Sequence, residues 1–462
     1  MEKIMRKYPL LVAGVLLVLM LLLAACQQGH EAPGETTAAP AVTTAEPGTE
    51  ALDTEEQTTA PETTPEETTE AVTEQPELVI NTEEEGRILV AYYKSTDPQK
   101  PASDSVYQSA QNFSKILLAK TGLTVKVTRV RNTSPNPAVT FLIGDTPYEE
   151  TALVKESLPA NSYAMQPVGR KIVIVGTDPS LTVKALKEFC DRVLNNPERV
   201  SDGCITVCPE DAFTVTLEQA YTVSDMVADG LNVTADYAEL FHANPYGQYG
   251  VAQGAATDGT YIYVALRNSD DTGSVIIKHR MDDGSFVARS QVLDLGHAND
   301  MTYNTAKNLL VVAHGQKQGK ILTVVNPETL EFIEDVNIEK GSGAITYNPA
   351  TNSYAISQGG KTLHMLDADL QYVLSFDRTK PEGYTAQGMG SDEELIYFPM
   401  SGNGQNILDT YDWEGHPVCH VILPTPYESE SLFYVNGRYF VNFNHQGAVV
   451  FEIFFRCVLP VE

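Results

Sequence analysis

The sequence predicts a multidomain chain in which an α+β sandwich domain is followed by an all-β five-bladed propeller. Three observations lead to this fold class. An acidic segment without lysine or arginine separates an N-terminal leader from the rest of the chain. Helix and strand periodicities then alternate over residues 86–217, and a strand–turn–strand unit recurs over residues 225–462. The 377 residues from position 86 onward are enough for two domains of ordinary size.

The N-terminal leader has the pattern of an export signal. Lys3, Arg6 and Lys7 precede an apolar run over residues 10–23, and small residues lead up to Cys26. The run is about 14 residues long, which is shorter than the roughly 20 residues that span a membrane as a helix. The leader is therefore predicted to direct export rather than to cross the bilayer.

The ending Leu23-Ala24-Ala25-Cys26 resembles the lipobox of bacterial lipoproteins. This resemblance implies that residues 1–25 are a lipoprotein signal peptide and that Cys26 is lipidated. More than one acyl chain gives stable anchoring, so the expected location is the extracytoplasmic face of the cell membrane. An ordinary cleaved signal peptide with a chance cysteine is the alternative.

Residues 26–85 are predicted to be the lipidated cysteine followed by a disordered Thr/Glu/Pro stalk. Residues 27–85 carry 16 acidic residues, about half of the net charge of −30. Such a segment buries too little apolar surface to offset its ordering entropy, and its charges and prolines favour extension, so it acts as a spacer. The remainder after the leader is also acidic, which argues against nucleic acid as a partner.

Residues 86–217 alternate between strand and helix patterns. Strands are predicted at 87–93, 124–130, 140–144, 163–168 and 171–176, and helices at 106–119 and 180–194. The order β-α-β-β-β-β-α predicts a sandwich with its helices on one face of the sheet.

This order, with Leu142-Ile143-Gly144-Asp145-Thr146 and Lys171-Ile172-Val173-Ile174-Val175-Gly176, resembles the small accessory domain that precedes the catalytic barrel of β-hexosaminidases and α-glucuronidases. In those families the domain is not catalytic. The resemblance therefore implies a glycan-handling context and supplies no active site.

Residues 225–462 repeat one unit: small residues, a short strand, a polar turn and a second strand. Equivalent positions are Ala256, Thr302, Thr346, Gly390 and Phe433, at steps of 46, 44, 44 and 43 residues. Four strands with this period are typical of a β-propeller blade, and five copies predict five blades. The last copy lacks a full outer strand, which residues 238–242 are predicted to supply, closing the ring. A β-sandwich or an open repeat array is the alternative.

Polar residues precede the innermost strand of each predicted blade, at the mouth of a central channel, where closed radial folds usually bind ligands. The candidate ligand-binding residues are Gln253, His297, Asn299, Asp300, Gln387 and Glu428, and the candidate catalytic residues are Asp300, Glu430 and His297. Acidic residues with a histidine suit acid–base work on a glycan. Two alternatives stay open: a divalent cation held by His297, Asp300 and a glutamate, and a purely structural role in capping strands. No cofactor and no resident metal are predicted.

The run Gly296-His297-Ala298-Asn299-Asp300 belongs to a pattern similar to that of a group of bacterial surface propellers. Five-bladed propellers also resemble the fold of arabinanase- and fructosidase-like glycosidases, whose acidic residues lie at inner-strand starts. Here only Asp300 with Glu428 or Glu430 fits, and the surrounding motifs of those families are absent, so enzyme status is open.

The preferred functional hypothesis is a surface lipoprotein whose propeller binds a glycan or another cell-surface or extracellular ligand. The alternative is a glycan-active hydrolase or lyase that uses the acidic residues at the channel mouth. A protein-assembly scaffold is the third possibility.

Five cysteines follow Cys26, at positions 190, 204, 208, 419 and 457. An odd number leaves at least one without a disulfide partner within the chain. The spacing of Cys204 and Cys208 does not match a zinc knuckle, and the sequence leaves the oxidation state of Cys190, Cys204 and Cys208 open.

Overall fold

The structure is a computed structural model that describes residues 77–81, 87–91, 103–133, 139–201, 203–315 and 319–461. The predicted signal peptide, Cys26 and nearly all of the predicted stalk lie outside the described residues. Residues Val72–Glu462 form one compact unit. In the described part of the chain, no helix has both the length and the apolar character needed to cross a bilayer.

A mixed six-stranded sheet forms the centre of the N-terminal part. Its strands are β2 Arg87–Ala91, β3 Lys126–Val130, β4 Thr140–Ile143, β5 Ser162–Val168, β6 Lys171–Gly176 and β9 Phe213–Thr216, in the order β3-β2-β4-β6-β5-β9. β2 pairs in parallel with β3 and β4, β4 pairs in parallel with β6, and β5 is antiparallel to both β6 and β9. A smaller sheet consists of β1 Leu78–Asn81, β8 Cys204–Val207 and β7 Val200–Ser201.

Helices cover both faces of the six-stranded sheet. The α-helices of the described residues are α1 Ser105–Thr121, α2 Glu149–Glu156, α3 Pro179–Phe189 and α4 Val223–Ala228, and α3 continues as a π-helical turn over Cys190–Leu194. α1 and α3 pack on one face, where Phe113, Phe141 and Phe189 meet edge to face with ring centroids 5.2, 5.8 and 5.6 Å apart.

The opposite face is covered by α2, whose Val154 packs with Leu142 and Val173. The expectation that the helices lie on one face is therefore wrong. α2 has eight residues, of which only Thr151 and Val154 are buried, so its sequence carries too little apolar periodicity to reveal a helix.

The second part of the chain is built almost entirely of strands, and its predicted β-rich, propeller-like character is confirmed. The first sheet holds β11 Tyr249–Thr257, β12 Tyr261–Asn268, β13 Ser274–Arg280 and β14 Phe286–Arg289. The second sheet holds β15 Asp300–Asn304, β16 Leu309–Ala313, β17 Ile321–Val325 and β18 Phe332–Asn337. The third sheet holds β19 Ala344–Asn348, β20 Ser353–Ser357, β21 Thr362–Leu366 and β22 Tyr372–Asp377. The fourth sheet holds β23 Tyr384–Ala386, β24 Gly390–Ser391, β25 Leu395–Gly402, β26 Gln405–Asp412 and β27 Pro417–Leu423. The fifth sheet holds β28 Glu428–Val435, β29 Arg438–Asn444, β30 Ala448–Val458 and β10 Asn232–Ala243.

The fifth sheet joins the two ends of this region. β10, which contains the predicted residues 238–242, pairs with β30 as the outer strand of the sheet. The prediction that the segment before the first repeat supplies the outer strand of the last repeat is thereby confirmed. The strand leaves no open edge on β30, since β30 is paired on both sides.

One strand from each sheet, β11, β15, β19, β24 or β28, contacts its counterparts in cyclic order, and we call these five the inner strands. β11 contacts β15, β15 contacts β19, β19 contacts β24, β24 contacts β28, and β28 contacts β11. We call the end at which these strands begin the near end and the end at which they finish the far end.

A turn after four of the five inner strands explains the sequence period. Asp258, Asn304, Asn348 and Asp392 are 46, 44 and 44 residues apart, and the side-chain oxygen of each accepts hydrogen bonds from backbone amides two or three residues further on. These Asx turns reverse the chain into the second strand of the sheet. The repeat in the sequence therefore reflects the same Asx turn in successive sheets.

The end of β30 enters the core of the N-terminal part. Cys457 and Leu459 are buried in the same cluster as Phe113. The backbone amide of Leu459 donates to Ser109 Oγ at 3.0 Å, and Asn112 Nδ2 donates to the Leu459 carbonyl at 2.8 Å. The two parts of the chain consequently share one hydrophobic core.

The five cysteines after Cys26 are all free thiols. Burial raises the pKa of Cys190 and of Cys457 to about 12. Because the thiolate is the reactive form, these two side chains are chemically inert packing groups.

Candidate functional site

The residues predicted for the site lie at the near end, where the inner strands start. Asp300 is the first residue of β15 and has no exposed surface. Glu428 is the first residue of β28, and Glu430 lies on the same strand at a shift in its register with β29. His297 and Asn299 immediately precede β15.

The Asp300 carboxylate is held by donors from several sheets. Its Oδ2 accepts from the backbone amides of Ile345 at 2.9 Å and Met389 at 2.8 Å. Its Oδ1 accepts from Ser431 Oγ at 2.7 Å and from the amide of Met301 at 3.0 Å. Burial raises the pKa of Asp300 to about 8, while these hydrogen bonds act in the opposite direction. The arrangement binds the second sheet to the third, fourth and fifth.

Asn299 and Gln253 are also engaged with the backbone. Asn299 Nδ2 donates to the carbonyls of Gly343 and, at 2.7 Å, of Gln387. Gln253 Nε2 donates to the carbonyl of Ala252 at 2.6 Å. Both side chains therefore use their amide donors to hold main chain near the start of inner strands.

The recurring Gln-Gly dipeptides have a steric cause. A Cβ on Gly254 would overlap the backbone of Asp300, and a Cβ on Gly388 would overlap the carbonyl of Glu430. Only glycine allows the neighbouring inner strands to approach this closely. The dipeptide is thus a packing signal between sheets.

Gln387 and Glu428 differ from the residues above because they meet at the surface. Gln387 Nε2 donates to Glu428 Oε1 at 2.7 Å, and Glu428 is exposed. Among the predicted ligand-binding residues, this pair presents polar atoms of two sheets to solvent.

Glu430 is a buried carboxyl group, with 3% of its surface exposed. Burial first, and then the carboxylates of Glu428 and Asp300, raise its pKa well above the ordinary value, while Arg267 lowers it. Within the described residues its side chain has no hydrogen-bond partner. This environment favours the protonated form of Glu430.

His297 lies in a separate group of charges. Its Nδ1 is 3.1 Å from Asp271 Oδ2, and Asp271 Oδ1 is 3.0 Å from Arg267 Nη1. Burial lowers the pKa of His297, and the hydrogen bond to Asp271 opposes this shift. Sequence reasoning missed Arg267 and Asp271; the available signal was their four-residue spacing across the turn after β12.

The candidate acids and the histidine are not joined by hydrogen bonds to one another in the described part of the chain. No group of three or more His, Cys, Asp or Glu side chains able to hold a metal ion occurs among the described residues. Both oxygens of Asp300 are already occupied by protein donors. The near end therefore has the hydrogen-bonding groups of Gln387 and Glu428 at its surface and the buried carboxyl group of Glu430 in its interior.

A cavity opens at the far end, which the sequence did not suggest. It has a volume of about 80 Å³ and is lined by residues of all five inner strands or the turns that follow them, including Asp258, Thr302, Thr346, Ser391 and Tyr434. These residue types are common in strands and turns, so nothing in the sequence distinguished them.

Comparison with known proteins found no matching family model and no matching curated protein. Similar solved structures include the hydrazine synthase of Kuenenia stuttgartiensis, at 12% identity over 44% of this chain and 58% of that chain, with a TM-score of 0.29. The nidogen/laminin complex is similar at 10% identity over 42% of this chain and 73% of that chain, with a TM-score of 0.31. U3-55K is similar at 10% identity over 45% of this chain and 77% of that chain, with a TM-score of 0.31. The chain thus spans less than two thirds of the length of the hydrazine synthase chain.

Proposed function

We propose that this chain is a surface-anchored lipoprotein whose five-bladed propeller binds a glycan or another extracellular ligand at its near end. The observation that carries the proposal is the occupation of the Asp300 carboxylate by three backbone amides and the Ser431 hydroxyl. An acid held in this way supports the strands around it. The half-buried Gln387 and the exposed Glu428 are then the groups that meet the ligand.

Five blades are supported by the cyclic contacts of the inner strands and by the pairing of β10 with β30. An α+β accessory domain before them is supported by the six-stranded sheet and its helices. Anchoring to the extracytoplasmic face of the cell membrane rests on the lipobox-like Leu23-Ala24-Ala25-Cys26 and on the acidic stalk that follows it. The stalk would hold both domains away from the lipid surface.

Glu430 favours a second candidate function, a glycan-active hydrolase or lyase. A general acid needs a carboxyl group that stays protonated near neutral pH, and burial provides this for Glu430. The base would have to be a group other than the fully engaged Asp300. His297, which burial holds toward its neutral form, has the suitable chemistry.

The binding proposal is tested by applying the chain to a glycan array together with Glu428→Gln and a matched control, Glu414→Gln. Glu414 lies exposed on an outer turn of the fourth sheet. Loss of a charge-assisted hydrogen bond should weaken binding by Glu428→Gln about 10-fold or more, while Glu414→Gln binds as the parent chain does. Equal binding by all three proteins would remove the near end from ligand recognition, and no binding by any of them would count against a glycan.

The enzymatic alternative is separated from binding by incubating any retained glycan with the chain and with Glu430→Gln. Product release that disappears in Glu430→Gln supports catalysis. Binding without product, at equal strength for both proteins, supports recognition alone.

A further inference from the structure

The cavity at the far end is distinct from the surface formed by Gln387 and Glu428. Glu428 begins β28, whereas Tyr434, which lines the cavity, lies near the end of the same strand. They are six residue steps apart along the strand, a distance of roughly 20 Å. The far end is consequently a second location on the propeller-like region, with its own lining and chemistry.

The size of the cavity limits what can enter. The share of one water in the liquid is about 30 Å³, so a cavity of about 80 Å³ holds roughly three waters. This is the space of the edge of one sugar ring or of a small polyol. A long apolar ligand or a complete oligosaccharide would not fit inside it.

The charge of the lining favours an uncharged ligand. Among the described residues that line the cavity there is no lysine or arginine, and Asp258 is the only carboxylate. Asp258 Oδ1 accepts from the amides of Thr260 and Tyr261, and Oδ2 accepts from Tyr263 Oη at 2.6 Å. These internal bonds satisfy the carboxylate, so it offers little to a cation, and nothing in the lining compensates an anion.

Hydroxyl groups provide the polar contacts. The Thr302 hydroxyl is half-buried and has no hydrogen-bond partner among the described residues. Thr346 Oγ1 and Ser391 Oγ are 2.7 Å apart, and Ser391 Oγ also donates to the Tyr347 carbonyl at 3.3 Å. The two hydroxyl protons are therefore used within the protein, and oxygen lone pairs remain as acceptors. Three hydroxyls from three different sheets therefore face one small space.

Aromatic rings complete the wall. Tyr347 and Tyr303 line the cavity, and their hydroxyls are held away from it by Asn352 and Asn308 at 2.8 and 2.7 Å. These hydrogen bonds fix both tyrosine side chains beside the cavity. An apolar and aromatic wall with a few placed polar groups is the usual composition of a small-molecule site.

We propose that this cavity is a second binding site, which takes the hydroxylated edge of one neutral sugar ring. The hydroxyls of Thr302, Thr346 and Ser391 replace the water around the sugar hydroxyls, and the tyrosine rings pack against its C–H groups. This site goes beyond the binding proposed for the near end and does not depend on it.

The test is saturation-transfer NMR on the full chain with glucose, galactose and N-acetylglucosamine, and with glucuronate and glucosamine as charged analogues. Transfer should reach at least one neutral sugar and be weaker for the charged analogues. Thr302→Val and Thr346→Val keep the side-chain shape and remove the hydroxyl, so each should weaken binding about 2- to 10-fold. Thr385→Val, the same change at an exposed residue of β23, should bind as the parent chain does.

Absence of transfer to all three neutral sugars would overturn the proposal. So would equal affinity of the parent chain, Thr302→Val and Thr346→Val, with circular dichroism confirming that the variants are folded. Transfer that Thr302→Val and Thr346→Val both weaken is assigned to the cavity, whereas transfer that only Glu428→Gln weakens is assigned to the near end. A failure on the glycan array with transfer retained would therefore reject the near-end proposal and leave the cavity site standing.

Discussion

The carboxylate of Asp300 accepts a hydrogen bond from the backbone amide of Ile345 at 2.9 Å, although the two residues belong to different sheets. The same side chain takes the amide of Met389 from the fourth sheet and the hydroxyl of Ser431 from the fifth. Buried backbone amides need a hydrogen-bond acceptor. Without the Asp300 carboxylate, the buried amides of Ile345 and Met389 would lose theirs. Asp300 therefore sets the relative positions of four inner strands.

Asp300→Asn should lower the free energy of unfolding by about 1–3 kcal/mol. The asparagine NH₂ group is a donor and would face the backbone amides or the Ser431 hydroxyl, which are donors too. Urea denaturation followed by circular dichroism measures this. Asp294→Asn, at an exposed position, is the control and should change stability little. Unchanged stability in Asp300→Asn, together with lost activity on a glycan, would instead assign Asp300 to catalysis.

Glu430→Gln should change how stability depends on pH. The pKa of Glu430 is raised in the folded chain, so the folded state holds its proton more tightly than the unfolded state. The resulting stability is present below the ordinary glutamate pKa of about 4.3 and is lost as pH rises toward the raised folded value. Relative to Glu430→Gln, the parent chain should lose stability over this window, at up to about 1.4 kcal/mol per pH unit.

Urea midpoints for both proteins between acidic and mildly alkaline pH measure this difference. Glu414→Gln serves as the control, because an exposed carboxylate should give a profile parallel to that of the parent chain. Parallel profiles for the parent chain and Glu430→Gln would mean that Glu430 ionises normally.

Leu459→Ala should destabilise the N-terminal part, although residue 459 follows the last strand of the second part. Leu459 is 2% exposed within the core that contains Phe113. Truncation of a buried leucine costs about 2–5 kcal/mol. Val461→Ala, at a residue 47% exposed, should cost far less. Chemical denaturation measures the free energy of unfolding of both variants. Equal values would show that Leu459 does not support the shared core.

Cys26→Ser should release the chain from the membrane, because serine cannot form the thioether to a lipid. Fractionation of cells that express the parent chain and the variant, followed by detergent phase partitioning, measures the change. Cys419→Ser, a matched substitution at a half-buried thiol, should stay with the membrane fraction. Membrane retention of Cys26→Ser would contradict anchoring through this residue.

The repeat was recognisable in the sequence because the same Asx turn recurs. Asp258, Asn304, Asn348 and Asp392 accept amides within their own turns, so the residue type follows from a few neighbouring positions. The outer strand over residues 238–242 was also predictable, because the last repeat lacked one. Helix α2 was missed because its two buried residues form no recognisable period.

The site was harder to predict than the strands that carry it. A polar residue at the start of an inner strand can face solvent, as Glu428 does, or turn inward onto amides of other sheets, as Asp300 does. For Asp300, the deciding contacts are with Ile345 and Met389, which are 45 and 89 positions further along the chain. Such long-range contacts cannot be read from a single sequence. The far-end cavity was missed for the same reason, since Thr302 and Thr346 look like ordinary strand residues.

The pairing of β10 with β30 has a mechanical consequence under the proposed anchoring at Cys26. Eleven residue pairs join the two strands, from Asn232 with Val458 to Ala243 with Ala448. A pull on the start of β10 acts along the strand, so its hydrogen bonds to β30 bear the load together in shear. This pairing would therefore resist separation of β10 from the fifth sheet under traction.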